Sequence, residues 1–337
     1  MAGVVYAEVF VVSQVLRPRE TGERGEHGQS GTVKYFPSST QKRVSPQVRF
    51  RYIAKEPKTA RALGLGSQIA GLQLATEYRF MCLLAIQYRS VSEAPILVAA
   101  NREEAYDRTS LVPSIQPGKP RVLSGVDAKA GGTWLGVNQN GLFVGASNRM
   151  KLGIPASPRS RGVLCREMLR ANSARQAVDI AMEELSGNKY DGVNFIVADF
   201  ESGWAVHGGD DPEVVELIEG LNIISNGDVN DPKDERQKLA RRLLTLQTLD
   251  SAVKFLAVAS KAFARPPAGP ERPGMVVRGK ERGTVSSTLI ALGKKPRDAI
   301  FQYASSAPDT ARYEDYSPLL RDILSRGLRE SRTRAKA

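Results

Sequence analysis

Apolar residues are spread unevenly along this 337-residue chain. Residues 17 to 62 mix Arg, Glu, Gly, Ser and Pro with neither a helical nor a strand period, as in Arg19-Glu20-Thr21-Gly22-Glu23-Arg24-Gly25-Glu26, and read as an unstructured leader. A short helical pattern at 63 to 76 is weakened by three glycines. Order is expected from near Tyr78. Apolar runs then predict strands at 81 to 89, 96 to 101, 121 to 125, 133 to 138 and 141 to 148, with Asn138-Gln139-Asn140-Gly141 as a tight hairpin turn. Helical spacing follows at 160 to 171 and at 174 to 186, where Val178, Ala181, Met182 and Leu185 share a face and Gly187 ends the element. Strands return at 192 to 199, 203 to 207, 213 to 218 and 221 to 225. Helices at 233 to 247 and 250 to 263 start at Pro232 and Asp250. After the Pro- and Gly-rich loop 266 to 273, strands are expected at 285 to 292 and 299 to 304, and a basic tail from Arg326 to Ala337.

Runs of strands alternating with helical pairs, rather than strict strand-helix-strand units, predict an α+β layered sandwich. The expected division is a leader over 1 to 80, one domain over 81 to 320 and a basic tail over 321 to 337. Composition supports a globular class, with 41% hydrophobic residues in a chain long enough for a large core.

The formal charge of +12 changes meaning once it is divided. Residues 1 to 80 hold 12 Lys+Arg against 6 Asp+Glu, residues 321 to 337 hold 6 against 2, and the 30 against 28 left between them net only +2. The basic excess belongs to the ends, and no recognition helix, zinc finger or RNA-binding signature accompanies it, so no specific nucleic-acid partner is expected. A protein acting through its basic ends would lose function on deletion of 1 to 80. Cys82 and Cys165 fit neither a disulfide framework nor a tetrahedral zinc site and suit a reducing compartment, with the cytoplasm as the plain reading. No apolar run reaches eighteen residues, so no membrane span is expected.

The candidate chemistry starts at Met81-Cys82. Were the chain to begin at Met81 and lose that methionine, Cys82 would carry a thiol and a free α-amine in one residue, a nucleophile with its own base near neutral pH. That account, a mis-called start, is preferred over cleavage before Cys82. Asn101-Arg102-Glu103-Glu104 follows a second apolar run, where Arg102 could lower the Cys82 pKa while a carboxylate fixes the guanidinium. By spacing alone, the same residues also read as a strand-terminal salt bridge beside a small buried cysteine. Gly131-Gly132-Thr133-Trp134-Leu135-Gly136-Val137-Asn138 offers backbone freedom, an aromatic wall and an amide. Asn138, and Asn226 in Ser225-Asn226-Gly227, could each donate to an oxyanion or serve as turn residues. Cys165 is placed on the buried face of its helix. With His27 in the leader, His207 is the one histidine of the domain, and a metal cluster is not expected.

Taken in order, Met-Cys on an apolar strand, Asn-Arg-Glu-Glu, Gly-Gly-Thr-Trp-Leu-Gly-Val-Asn, Ser-Asn-Gly and Gly283-Thr284-Val285-Ser286-Ser287-Thr288 resemble the NRDE family, also called the transport and Golgi organisation protein 2 family, over about 81 to 305. That family looks related to N-terminal nucleophile hydrolases of the choloylglycine hydrolase and penicillin V acylase type. The resemblance implies a four-layer αββα sandwich and, residue by residue, Cys82 as nucleophile, Arg102 beside it, Glu104 as acidic partner, and Asn138 and Asn226 as oxyanion amides. It implies hydrolysis of a small non-peptide amide without a cofactor. The alternative it carries is a non-catalytic role binding haem, lipid or acyl-CoA, in which Cys82 or His207 would be the axial ligand of haem. Two positions depart from the pattern: Glu103 stands where the family name has Asp, and Val285 where relatives usually carry Arg. Substrate and oligomeric state are not legible in the sequence.

Overall fold

The computed structural model describes residues 82–269 and 272–334, so the leader and the helix expected at 63 to 76 lie outside the described residues. The strands in chain order are β1 (Leu83–Tyr88), β2 (Ile96–Ala105), β3 (Ser110–Gln116), β4 (Val122–Asp127), β5 (Leu135–Asn138), β6 (Phe143–Asn148), β7 (Val193–Ala198), β8 (Gly203–Gly208), β9 (Glu213–Glu216), β10 (Gly220–Ile224), β11 (Arg282–Leu292), β12 (Ile300–Ala304) and β13 (Glu314–Asp315). The helices are α1 (Arg161–Met168), α2 (Ala174–Ser186), α3 (Glu235–Leu244), α4 (Ala252–Phe263) and α5 (Ser317–Arg334).

These strands make two sheets among the described residues. One has the order β10-β1-β2-β11-β12-β13; the other is a meander from β3 to β9. Every named pairing is antiparallel. β1 shows why the sheets stack. Its Leu84, Ile86 and Tyr88 join Leu123, Val137, Phe143 and Ile196 of the second sheet in a core between the two, while Leu83 and Ala85 point the other way, onto Leu244, Phe255 and Phe263 of α3 and α4. A strand covered on both faces needs a continuous apolar run rather than alternation, and Leu83-Leu84-Ala85-Ile86 is one. The opposite face of the second sheet packs Val144, Phe195 and Val197 against Leu164, Met168, Ala177 and Ala181 of α1 and α2. The layer order is therefore helix, sheet, sheet, helix, the αββα sandwich the resemblance implied.

Each of the four covering helices starts on a side-chain cap: Ser160 accepts from Val163 N, Ser173 from Gln176 N, Asp234 from Arg236 N and Gln237 N, and Ser251 from Lys254 N. Such a cap satisfies an orphan amide and contributes about 1 kcal/mol.

The expected basic tail is corrected. Residues Ser317–Arg334 form α5, which inserts Leu320, Ile323 and Leu324 into the core between the sheets. Glu330 pairs with Arg121 at 3.0 Å and accepts from Gln139 Nε2 at 2.8 Å. Gly327 permits this docking, since a Cβ there would sit 2.0 Å from the Gln139 carbonyl oxygen. Arg326, Arg329 and Arg332 are exposed, and these charges masked an amphipathic helix as a charged tail. No helix among the described residues is long and apolar enough to cross a membrane.

Candidate functional site

The β1–β2 register pairs Leu83 with Asn101, so one step further Cys82 stands opposite Arg102. The pleat then divides the Asn-Arg-Glu-Glu run between two faces. Arg102 and Glu104 share the inner face with Val98 and Ala100, while Asn101 and Glu103 share the helix-covered face with Leu97 and Ala99. Beneath the helices, Asn101 Nδ2 donates to the carbonyls of Phe263 at 3.0 Å and Met275 at 2.9 Å. Glu103 accepts there from Thr284 Oγ1 at 3.0 Å and pairs with Arg236 at 3.1 Å.

On the inner side, Cys82, Arg102, Glu104, Trp134 and Asn148 help to line a cavity of about 330 Å³. The Arg102 guanidinium lies 4.5 Å from the Trp134 ring centroid, a cation–π stack. It donates to Glu104 at 3.4 Å. Glu104 is the carboxylate hub, with Arg108 at 3.7 Å and Arg282 at 3.5 Å. Arg108 also clasps Asp127 at 2.6 Å; burial works against that carboxylate, but the guanidinium holds it below its usual range. Trp134 is fixed from its own chain neighbours. Thr133 N donates to the Gly162 carbonyl at 2.9 Å, and a Cβ on Gly132 would lie 2.2 Å from the Gly162 carbonyl carbon, so only glycine lets this strand touch the start of α1.

The Cys82 thiol points at the Glu103 carbonyl oxygen, 3.7 Å away. Burial, and next the Glu103 charge, push it up to about 11; Arg102 pulls the other way and is outweighed. The expectation that Arg102 lowers the thiol is thus right in sign and overruled in effect within the continuous chain. Glu103 itself is pushed up to about 7, mainly by burial, against the pull of Arg236.

Two expected roles are corrected. Asn138 is fully buried, its Nδ2 donates to the carbonyls of Leu169 at 3.0 Å and Ala171 at 2.8 Å, and its Oδ1 accepts from Asn140 N and Leu142 N. No donor remains for an oxyanion. The reason is the hairpin: Asn138 ends β5 at the turn, whereas the cavity lies at the open end, where β5 begins after Trp134 and β6 ends at Asn148. Asn148 is the amide that sequence reasoning passed over, and its side chain makes no hydrogen bond among the described residues. Its signal was its position at the far end of the same hairpin. The second correction is His207, buried in β8. Its Nδ1 contacts Asn194 Oδ1 at 2.8 Å and its Nε2 accepts from Val229 N at 3.5 Å, so neither ring nitrogen is left for iron. Burial, then Arg149, lowers its pKa to about 4.

The β1–β10 register pairs Leu84 with Ile224, and two steps on it brings Asn226 opposite Cys82, although Asn226 is not among the residues lining the cavity. Val285 sits in the β11 bulge, between Thr284 opposite Glu103 and Ser286 opposite Arg102. Cys165 is buried under α1, as expected, and burial raises its thiol well above the usual range.

Residues 81–265 match the family model described as Transport and Golgi organisation 2. Among curated proteins, the Transport and Golgi organization 2 homolog of Mus musculus is 29% identical over 164 residues, covering 45% of this chain and 59% of that one. The homolog of Homo sapiens is 31% identical over 131 residues, covering 36% and 46%. The chain thus spans about half the length of the curated relatives it matches. Among solved structures, a Caenorhabditis elegans N-acylethanolamine-hydrolyzing acid amidase ortholog is 16% identical with a TM-score of 0.41, covering 62% of this chain and 92% of its own. A variant of the conjugated bile acid hydrolase from Clostridium perfringens is 12% identical with a TM-score of 0.43, covering 70% and 93%.

Proposed function

This chain belongs to the Transport and Golgi organisation 2 family, and from that premise we propose that it is a cysteine amidohydrolase acting on a small non-peptide amide, with Cys82 as an N-terminal nucleophile. The observation that carries the reading is the cross-strand pair of Cys82 and Arg102 facing one small cavity. In a continuous peptide the thiol stays protonated, at about 11. A free α-amine on Cys82 changes that: it accepts the thiol proton, and as an ammonium its charge adds to that of Arg102. The thiolate attacks the carbonyl carbon, the oxyanion takes hydrogen bonds from the amides of Asn148 and Asn226, and the C–N bond breaks as the ammonium protonates the leaving amine. Water attacks the thioester, its proton returns to Cys82, and the acid leaves. Arg102, stacked on Trp134 and tied to Glu104, positions the thiol. A cavity of about 330 Å³ suits a small molecule rather than a polypeptide. Two free thiols suit the reducing cytoplasm as its location.

The test is a panel of amides given to protein that begins at Cys82, beside its Cys82→Ala form. A loss on the order of 10³-fold or more is expected on removing the nucleophile; equal rates from the two proteins end the reading. Mass spectrometry of the native protein should find Cys82 at the N-terminus, and peptides from residues 1 to 60 would overturn that start.

A second reading, binding without turnover, is favoured by Val285 in the bulge and by the protonated thiol. Lipid or acyl-CoA are then the ligand classes, and a haem role would rest on Cys82 alone, since the ring of His207 is fully engaged. A haem titration that leaves the Soret band of Cys82→Ala identical to that of the unaltered chain removes that ligand too.

A further inference from the structure

The connection from β6 to α1 carries an exposed apolar tip. Between Met150 and Ala156 the one charged side chain, Lys151, is turned inward, buried with its Nζ on the Tyr190 carbonyl at 3.0 Å. Leu152 stands 82% exposed, Ile154 55% and Met150 45%, with Pro155 and Ala156 beside them. Single apolar side chains are ordinary on a surface, but a run of them rimmed by charge marks a contact. The tip is built rather than loose. Arg149 N and Arg159 N, near its two roots, donate to the carbonyls of Gly192 at 3.1 Å and Lys189 at 2.8 Å. At the apex, Asp210 accepts from Leu152 N at 3.1 Å and from Gly153 N at 2.7 Å. The charges around the tip balance, with Arg149, Arg159 and Lys189 set against Asp228, Glu184 and Asp210.

We propose that this tip is a membrane-docking loop, which seats Leu152 and Ile154 in the interface of a zwitterionic phospholipid bilayer. Size decides against a protein partner. A stable protein interface takes about 800 Å² and roughly 20–30 residues from each side, far more than the stretch from Met150 to Ala156 supplies. A bilayer sets no such minimum, since each apolar side chain that leaves water contributes its own transfer free energy. The balanced rim decides for a zwitterionic surface, because an anionic one attracts a basic excess that is absent from this rim. Asn148 and Pro158, on either side of the tip, line the cavity, so docking holds the cavity next to the lipid. The proposal goes beyond the hydrolase reading and does not depend on it.

Flotation of the full chain with phosphatidylcholine vesicles is the test. The unaltered chain is expected to rise with the vesicles, no less at high salt than at low. Leu152→Ser combined with Ile154→Ser is expected to lower the ratio of bound to free protein about tenfold or more. The melting temperature should stay unchanged, because both side chains already face water in the free protein. Leu152→Trp reports the contact itself: its added emission should move to shorter wavelength when vesicles are mixed in, whereas that of Val253→Trp, at an exposed position of α4, should not. Absence of flotation, flotation that the double variant leaves intact, binding that needs phosphatidylserine and disappears in high salt, or an unshifted emission from the Leu152→Trp protein each overturns the proposal. So does a dimer that the double variant splits, which would assign the tip to a second copy of the chain.

Discussion

At the scale of single residues, two asparagines ten positions apart stand at opposite ends of one hairpin. Asn138 holds the turn after α1 through two hydrogen bonds and its own hairpin through two more, and Asn148 faces the cavity. Asn138→Ala strands buried carbonyls and is expected to cost about 1–3 kcal/mol for each unsatisfied group in urea denaturation. Asn148→Ala should leave the denaturation midpoint almost unmoved, yet, on the proposed amidohydrolase reading, lower amide turnover by protein that begins at Cys82 by about 10²–10³-fold. His207 gives a pH prediction. Its folded pKa, about 4, lies below the ordinary value of 6.5. The folded state therefore binds fewer protons between those values, and the stability due to the neutral ring is present above 6.5 and lost as the pH falls towards 4. His207→Gln should flatten that acid limb of melting temperature against pH; an unaltered slope would show that another group sets it.

At the scale of elements, the strands buried on both faces were legible because continuous apolar runs have few other readings, and the four capped helices because their 3.6-residue spacing is clean. Three features were not. β3 carries Pro113 and exposes Leu111 and Val112, so it shows no apolar alternation. β2 runs on through Arg102, Glu103 and Glu104, charges that only a partner sheet and covering helices make tolerable in a strand. α5 hid its apolar seam under arginines. Leu320→Ala should cost about 2–5 kcal/mol, because that side chain is fully buried between the sheets, whereas Leu328→Ala, 42% exposed, should stay within about 0.5 kcal/mol. Equal effects in denaturant would mean that α5 is not part of the core.

At the scale of the whole molecule, the sandwich brings β1, β2 and β10 to one end together with the open end of the β5–β6 hairpin, and the site lies where these ends meet. Cys82, Arg102 and Glu104 could be read from the sequence because they are neighbours across two adjacent strands. Arg108, Asp127 and Arg161 could not, since they reach the cavity from the β2–β3 connection, from β4 and from the start of α1, whose placement against β1 and β2 no local pattern encodes. Alkylation of Cys82 by iodoacetamide should be slow at pH 7 in the full chain and accelerate only towards pH 11, while protein starting at Cys82 should react at lower pH; identical profiles would mean that the terminal amine does not tune the sulfur. Gly162, which lines this recess, meets Gly132 main chain against main chain. Natural variation therefore has no side chain to trim or enlarge there, which leaves neighbouring lining side chains such as Arg108 and Arg159 as the places to mutagenise when a different ligand preference is wanted.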